Sequence, residues 1–142
     1  MSTMDYSKYM AALKQLGADL DESAKRTLSR MNAKGMEITV KNTPVGQYPK
    51  GSGKVGGTLR KSWNNGGTHK VGNSHESRYY NNVYYGLYVN NGHRIVNRRH
   101  ETVGYKEGVR MLEQGQDAAK EAAPAIFNAE IQRVKVKGGC CR

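Results

Sequence analysis

Four histidines, two cysteines, a few serines and a glycine–lysine loop are the residues here whose chemistry could be put to work. His69, His75, His93 and His100 stand at no spacing that sets two of them on one helical face, and Cys140 and Cys141 lie far downstream. A metal site needs converging ligands, so none is expected. Nucleophilic catalysis would draw on Ser62, Ser74 or Ser77, yet none sits in a Gly-x-Ser-x-Gly elbow. Between Glu37 and Glu101 the one acid is Glu76, which leaves no carboxylate pair for acid–base work. Gly51-Ser52-Gly53-Lys54 is superficially like a phosphate loop but lacks the Walker spacing and its Gly-Lys-Ser/Thr triplet. The chain therefore reads as a non-enzyme with no catalytic, metal-binding or cofactor-binding residues and no cofactor.

What remains is charge. Lys and Arg number 23 against 12 Asp and Glu, a net charge of +11, and such an excess speaks to partners rather than to fold. It is unevenly placed. Lys41, Lys50, Lys54, Arg60, Lys61 and Lys70 fall in a stretch without a single acid. A basic loop of this kind suits nucleic acid, an acidic protein surface, or only water. Tyrosines beside bases suit stacking on single strands, but here they cluster in a run where packing is the better use. Hydrophobic residues make up 37% and mean hydropathy is −0.79, low for a compact domain. That shortage fits either partial disorder or a protomer that completes its burial against neighbours. Well-patterned helices favour the second.

No stretch approaches the ~18 apolar residues of a membrane span. Asp5, Lys8 and Lys14 interrupt any signal-peptide pattern at the N-terminus, so a cytosolic protein without membrane partners is expected. Adjacent cysteines are poor partners for one another, and Cys140 and Cys141 read as reduced and idle.

The elements that would position these residues follow from periodicity. Tyr6, Tyr9, Met10, Leu13, Leu16, Leu20, Ala24, Leu28 and Met31 recur at spacings of three and four, which predicts a helix from Asp5 to about Lys34, ending near Gly35. Glu37-Ile38-Thr39-Val40 reads as a short strand. Asn42 to Gly57, with Pro44, Pro49 and scattered glycines, reads as a long loop. Thr58 to Asn64 is expected as a strand, Asn64-Asn65-Gly66-Gly67 as a hairpin turn, and Thr68 to Val71 as the next strand. Gly72 to Arg78 reads as a polar connection. Tyr79 to Val89 reads as an aromatic strand, turned out at Asn90-Asn91-Gly92. Arg94 to His100 reads as a loop. From about Lys106 an alanine-rich helix runs through Val109 to Val134, kinked or split at Pro124. The expected fold is α+β: an N-terminal helix, a small antiparallel β-sheet with a long basic loop, and a C-terminal helix. It spans residues 1–134 as one domain, with 135–142 a flexible tail.

Three segments in this order carry a resemblance: Thr43-Pro44-Val45, then Thr58-Leu59-Arg60-Lys61-Ser62-Trp63, then Tyr85-Gly86-Leu87-Tyr88-Val89-Asn90-Asn91-Gly92-His93-Arg94. With the closing Val103-Gly104 to Met111-Leu112 and the helix after it, the chain resembles the HK97 gp10-like family of tailed-phage neck and tail components. It departs from the family where an Asp-Thr-Gly is replaced by a longer insertion ending Gly56-Gly57-Thr58, and where Asn90 stands in place of a common acid. The resemblance implies a structural virion protein at the head–tail joint, assembled in the host cytoplasm. It would form a homo-oligomeric ring, expected to be hexameric, between the portal-side connector and the tail tube or terminator. Lys50, Lys54, Arg60 and Lys61 would form a basic face toward a partner ring or, non-specifically, toward DNA in the channel. Leu59, Trp63, Tyr85, Tyr88 and His93 would serve fold and ring contact. The alternatives are a basic nucleic-acid-binding module, or a tail-tube terminator or minor capsid component.

Overall fold

The computed structural model describes residues 7–137, which fold as α+β with two long helices and two small antiparallel sheets. The apolar stripe does build a helix, but α1 runs from Ser7 to Asn42, through the expected end at Gly35 and the expected strand at Glu37–Val40. The reason is a close crossing with α4, Met111–Lys137. A Cβ on Gly35 would stand 3.1 Å from the Gly115 carbonyl oxygen, and one on Gly115 would collide with the Thr39 hydroxyl. Gly35 is therefore a packing glycine inside a helix, not a cap. Thr39 is wholly buried in this seam. Its hydroxyl donates back to the Gly35 carbonyl at 2.8 Å and lies 3.1 Å from the Tyr79 hydroxyl. Met36 and Val40 pack against the core on either side of it. Burial in such a seam outweighs the few tenths of a kcal/mol by which β-branched residues disfavour a helix.

The two helices run antiparallel. Asn42 bonds Gln114 at one end, and Arg133 reaches the Ser23 hydroxyl at 3.5 Å near the other. Glu130, 1% exposed, sits between them with Arg26 at 3.3 Å, Arg30 at 3.2 Å and Arg133 at 2.9 Å. Burial pushes this carboxyl up. The Arg133 hydrogen bond and the charges of Arg26, Arg133 and Arg30 outweigh that and hold it below its ordinary value of 4.5. Pro124 does not split α4, and Lys135–Lys137, expected in the tail, continue it. Cys140 and Cys141 lie outside the described residues.

β1 (Trp63–Val71) pairs antiparallel with β2 (Ser74–Asn81), Trp63 opposite Asn81 and Val71 opposite Ser74. The expected turn at Asn64-Asn65-Gly66-Gly67 is instead an irregularity within β1, between Asn65 and Thr68. Gly67 takes φ 74°, and the Asn65 carboxamide oxygen accepts from Gly67 N and from the Asn32 side chain, both at 2.8 Å. Turn chemistry here makes a bulge tied to α1. The reversal falls at Gly72-Asn73, where Gly72 has φ 59°, so most of the expected polar connection is β2.

The aromatic run is also divided. β2 ends at Asn81, and Gly86–Asn91 is a short helix, α3, not a strand. A second hairpin follows, β3 (Gly92–Val96) with β4 (Thr102–Glu107), occupying much of the expected loop and the expected start of the last helix. The main buried cluster is small: Leu59, Trp63 and Met111, flanked by half-buried Met36, Tyr79, Tyr85 and Val89 among others, with Val134 buried apart from it. It sits at the C-terminal end of α1 and the start of α4.

Two measurements test the helix seam. Gly115→Ala gains up to about 1 kcal/mol in helix propensity but overpacks the Thr39 contact, at about 1–3 kcal/mol. The net change should be a lower urea midpoint; a raised one would show that the seam can open. Glu130 has a folded-state pKa below its unfolded one, so its contribution is complete above about pH 4.5 and is lost as pH falls through the folded value. Urea melts taken at decreasing pH should show wild type losing stability more steeply in this acid range than Glu130→Gln. Parallel curves would mean that the arginine cluster does not stabilise the ionised carboxylate.

Candidate docking surface

A helix ends with carbonyls that its own ladder cannot satisfy. At the end of α1, the Thr43 amide donates to the Val40 carbonyl at 3.2 Å and its hydroxyl to the Thr39 carbonyl at 2.7 Å. Two side chains from the next motif complete the cap. Arg60 places Nε and Nη2 at 2.9 and 2.6 Å from the Thr43 carbonyl oxygen, with Nη2 also 3.3 Å from that of Lys41. Trp63 Nε1 donates to the Thr43 hydroxyl at 2.8 Å. A guanidinium at a helix C-terminus also meets the negative end of the helix dipole. The Thr-Pro-Val and Thr-Leu-Arg-Lys-Ser-Trp segments are thus two halves of one joint, centred on Thr43.

Arg60 reaches back because Thr58–Lys61 is a single helical turn, α2, rather than the expected strand. Gly57 opens it at φ 94°. Ser62 donates to the Thr58 carbonyl and Asn81 to that of Leu59, each at 2.7 Å. The turn sends Leu59 inward, 3% exposed, and leaves Lys61 in solvent. Of the four cations expected on a partner-facing loop, Arg60 is therefore committed to the fold. It remains exposed, as do Lys50, Lys54 and Lys61.

Residues 44–57 leave the joint and return to it. A Cβ on Gly56 would strike the Gly46 carbonyl, so the segment is pinched at its neck in the manner of an Ω-loop. At its tip, Ser52 N bonds the Pro49 carbonyl at 3.2 Å, and Lys54 Nζ lies 5.8 Å from the centre of the Tyr48 ring. Across from the loop stand α3 and the second hairpin. Tyr85 is half-buried against the core, whereas Tyr84, just before α3, and Leu87 and Tyr88 within it are 86%, 63% and 56% exposed. His93 stands edge-on to Tyr88, ring centres 6.4 Å apart, and its buried Nδ1 meets no hydrogen-bond partner among the described residues. Between loop and α3 lies a groove of about 620 Å³ lined by Val45, Tyr48, Val55, Tyr85, Tyr88 and His93, with an adjoining hollow of about 700 Å³ toward Arg94 and His100.

Asn90, expected only in a turn, proves structural. It is 2% exposed, and its carboxamide oxygen accepts the Leu112 amide at 3.0 Å while its nitrogen donates to Glu113 at 3.1 Å. It caps the N-terminus of α4 from another element, and an amide, unlike an acid, can also donate to Glu113. The partner lies more than twenty residues away, so nothing local in the sequence announces this. Among the described residues, no group of three or more His, Cys, Asp or Glu could hold a metal ion, and no helix is long and apolar enough to cross a membrane.

These features describe an α+β scaffold that displays a pinched basic loop beside an open aromatic groove. Its lineage is a bacteriophage one: the chain belongs to the HK97-gp10-like family, described as "Bacteriophage HK97-gp10, putative tail-component", whose profile matches residues 7–92. That span takes in α1, the loop, α2, the first hairpin and α3. No curated protein and no solved structure matches the chain.

The joint is open to measurement by urea denaturation. Arg60→Lys keeps the charge but not the fork, and should cost about 1–2 kcal/mol. Trp63→Ala should cost about 3–5 kcal/mol as a large core truncation. An Arg60→Lys variant as stable as wild type would show that the end of α1 needs no guanidinium.

Proposed function

We propose that this tail component is a non-enzymatic structural part that forms a ring at the head–tail joint, as a neck or tail-completion protein. The observation that carries the reading is unfinished burial. The chain exposes 11235 Å², whereas a compact monomer of 15.8 kDa is expected to expose about 7,300 Å². Setting aside about 1,750 Å² for the residues outside 7–137 still leaves an excess of roughly 2,200 Å². A standard interface takes about 800 Å² from each partner, so two neighbours per protomer would account for much of that excess. The exposed surface is also apolar in the right way: Leu13 is 62%, Leu87 63%, Val55 79% and Phe127 54% exposed.

In this reading Tyr85, Tyr88 and His93 serve the contact between copies, and Leu59 and Trp63 hold the scaffold behind it. The exposed Lys50, Lys54 and Lys61 meet a neighbouring ring on the connector or tail side, where charge guides docking and apolar contacts hold it.

Deleting the gene in its native system and viewing the particles by negative-stain electron microscopy tests the placement. Separate filled heads and finished tails are expected; normally joined particles would overturn it. Lys50→Glu with Lys54→Glu should leave the melting curve within about 0.5 kcal/mol of wild type while lowering the yield of joined particles. An unchanged yield would remove the loop from the docking surface.

A further inference from the structure

Charge divides this molecule unevenly. α1 and α4 together hold eleven cations and eight acids, whereas residues 43–110 hold eleven cations and three acids. Every ion pair among the described residues draws its acid from the two long helices. Of the eleven cations in residues 43–110, Lys70 alone is neutralised in this way, by Asp21 at 3.0 Å. Most of the net charge of +11 therefore stands unpaired on the part of the chain between the helices.

The second hairpin displays part of that excess in a definite frame. Arg94, Arg98, Arg99 and Lys106 are exposed, and none meets an acid among the described residues. Of the two acids on the hairpin, Glu101 is engaged by the Asn97 side chain at 2.8 Å, and Glu107 lies at the base, opposite Gly92. The tip is closely bonded. Asn97 N donates to the Glu101 carbonyl and His100 N to that of Asn97, each at 3.0 Å. The Asn97 carboxamide oxygen accepts from Arg99 N at 2.8 Å and from Glu101 N at 3.0 Å. These bonds use backbone and Asn97 only, so the turn is fixed while the Arg98 and Arg99 guanidinium groups stay uncommitted. Like charges held side by side repel, and an outside anion relieves them.

The ribbon under this tip stands clear of the body. Beyond its own pairing it leans chiefly on α3, and Ile95, Val96, Val103 and Tyr105 along it are exposed. A two-stranded hairpin alone is marginal in water, so a partner that takes both its charge and its faces would complete it. The major groove of B-form DNA, about 12 Å wide, admits such a ribbon, with phosphates along both rims and base edges, thymine methyls among them, on its floor. Cations on both strands and at the tip, with aliphatic side chains between them, match that layout. An acidic protein would need carboxylates placed to fit around an apolar centre, whereas a duplex repeats its anions along its whole length.

We propose that the β3–β4 hairpin is a DNA-binding arm that lies in the major groove of a duplex, with Arg98 and Arg99 on phosphates. Such contacts position the arm without reading sequence. The ring reading above uses Lys50, Lys54, Lys61 and the groove beside α3, and it leaves Arg98 and Arg99 uncommitted, so either reading can stand without the other.

Fluorescence anisotropy of the purified full chain with a labelled duplex of mixed sequence tests the arm. Wild type should bind at 50 mM salt and weaken steeply toward 200 mM. Arg98→Glu with Arg99→Glu should bind at least tenfold more weakly, and its slope of log affinity against log salt should fall by about 2. Lys8→Glu with Lys14→Glu makes the same change in net charge on α1 and should stay within about threefold of wild type. All four residues are exposed, and circular dichroism checks that both variants fold. Equal losses in the two variants would mean diffuse attraction and overturn the arm, as would no binding at 50 mM salt. Polyglutamate that displaces the protein as well as unlabelled duplex does would assign the tip to an acidic protein instead. Tighter binding to the single strand than to the duplex would overturn the groove. Gene deletion, which tests the joint reading, has no bearing on these affinities.

Discussion

The whole arrangement depends on how α1 is brought to an end. A long helix that finishes against the core must hide its last carbonyls or find donors for them. Thr43 solves this by offering its hydroxyl and carbonyl to two side chains that lie less than twenty-five residues on. Arg60 and Trp63 can both reach it only if the chain leaves, loops and returns, and makes one helical turn before entering β1. The basic loop, α2 and the first hairpin are all fixed in place by that requirement. On the other side of the core, Asn90 does the equivalent for α4, capping it from α3 and so docking the second hairpin.

How much of this could be read beforehand follows from the range of the interactions. The helix stripe from Met10 to Met31 is a local signal, and it was legible. So was the division into helix, small β elements and helix, and so was the link between the Thr-Pro-Val and Thr-Leu-Arg-Lys-Ser-Trp segments, through their family resemblance. What failed were segments whose local preference is outvoted by distant partners. Ile38-Thr39-Val40 favours a strand in isolation, but Gly115 lies against it. Tyr84 to Val89 has strand-like composition, yet Asn90 must face α4, and a helix delivers it there. Asn65-Gly66-Gly67 has turn chemistry, spent on a bulge because Asn32 on α1 claims the Asn65 side chain.

The site was read less well than the fold. Lys50, Lys54 and Lys61 are exposed as charge alone suggested, but Arg60, although exposed too, spends its guanidinium on the end of α1, and composition cannot tell a free arginine from one that caps a helix. Leu59 and Trp63 are core residues. Tyr85, Tyr88 and His93 do share one groove, although its opposite wall comes from residues 44–57, which carry little apolar signal beyond Val45, Tyr48 and Val55. The exposure of the α1 stripe was hidden altogether, since periodicity reports a face and not whether anything covers it.

The pinched neck of the loop has a consequence for how such a part can change. With Gly46 against Gly56, and with Thr43 held by Arg60 just outside the neck, the two strands of the loop are closed before its tip begins. Closure entropy then grows only slowly with added residues, by about 0.6 kcal/mol per doubling of length. Because the fold behind the neck does not register the tip, insertions there are almost free. The tip can therefore lengthen or change its residues to suit a different neighbour while the joint behind it stays the same.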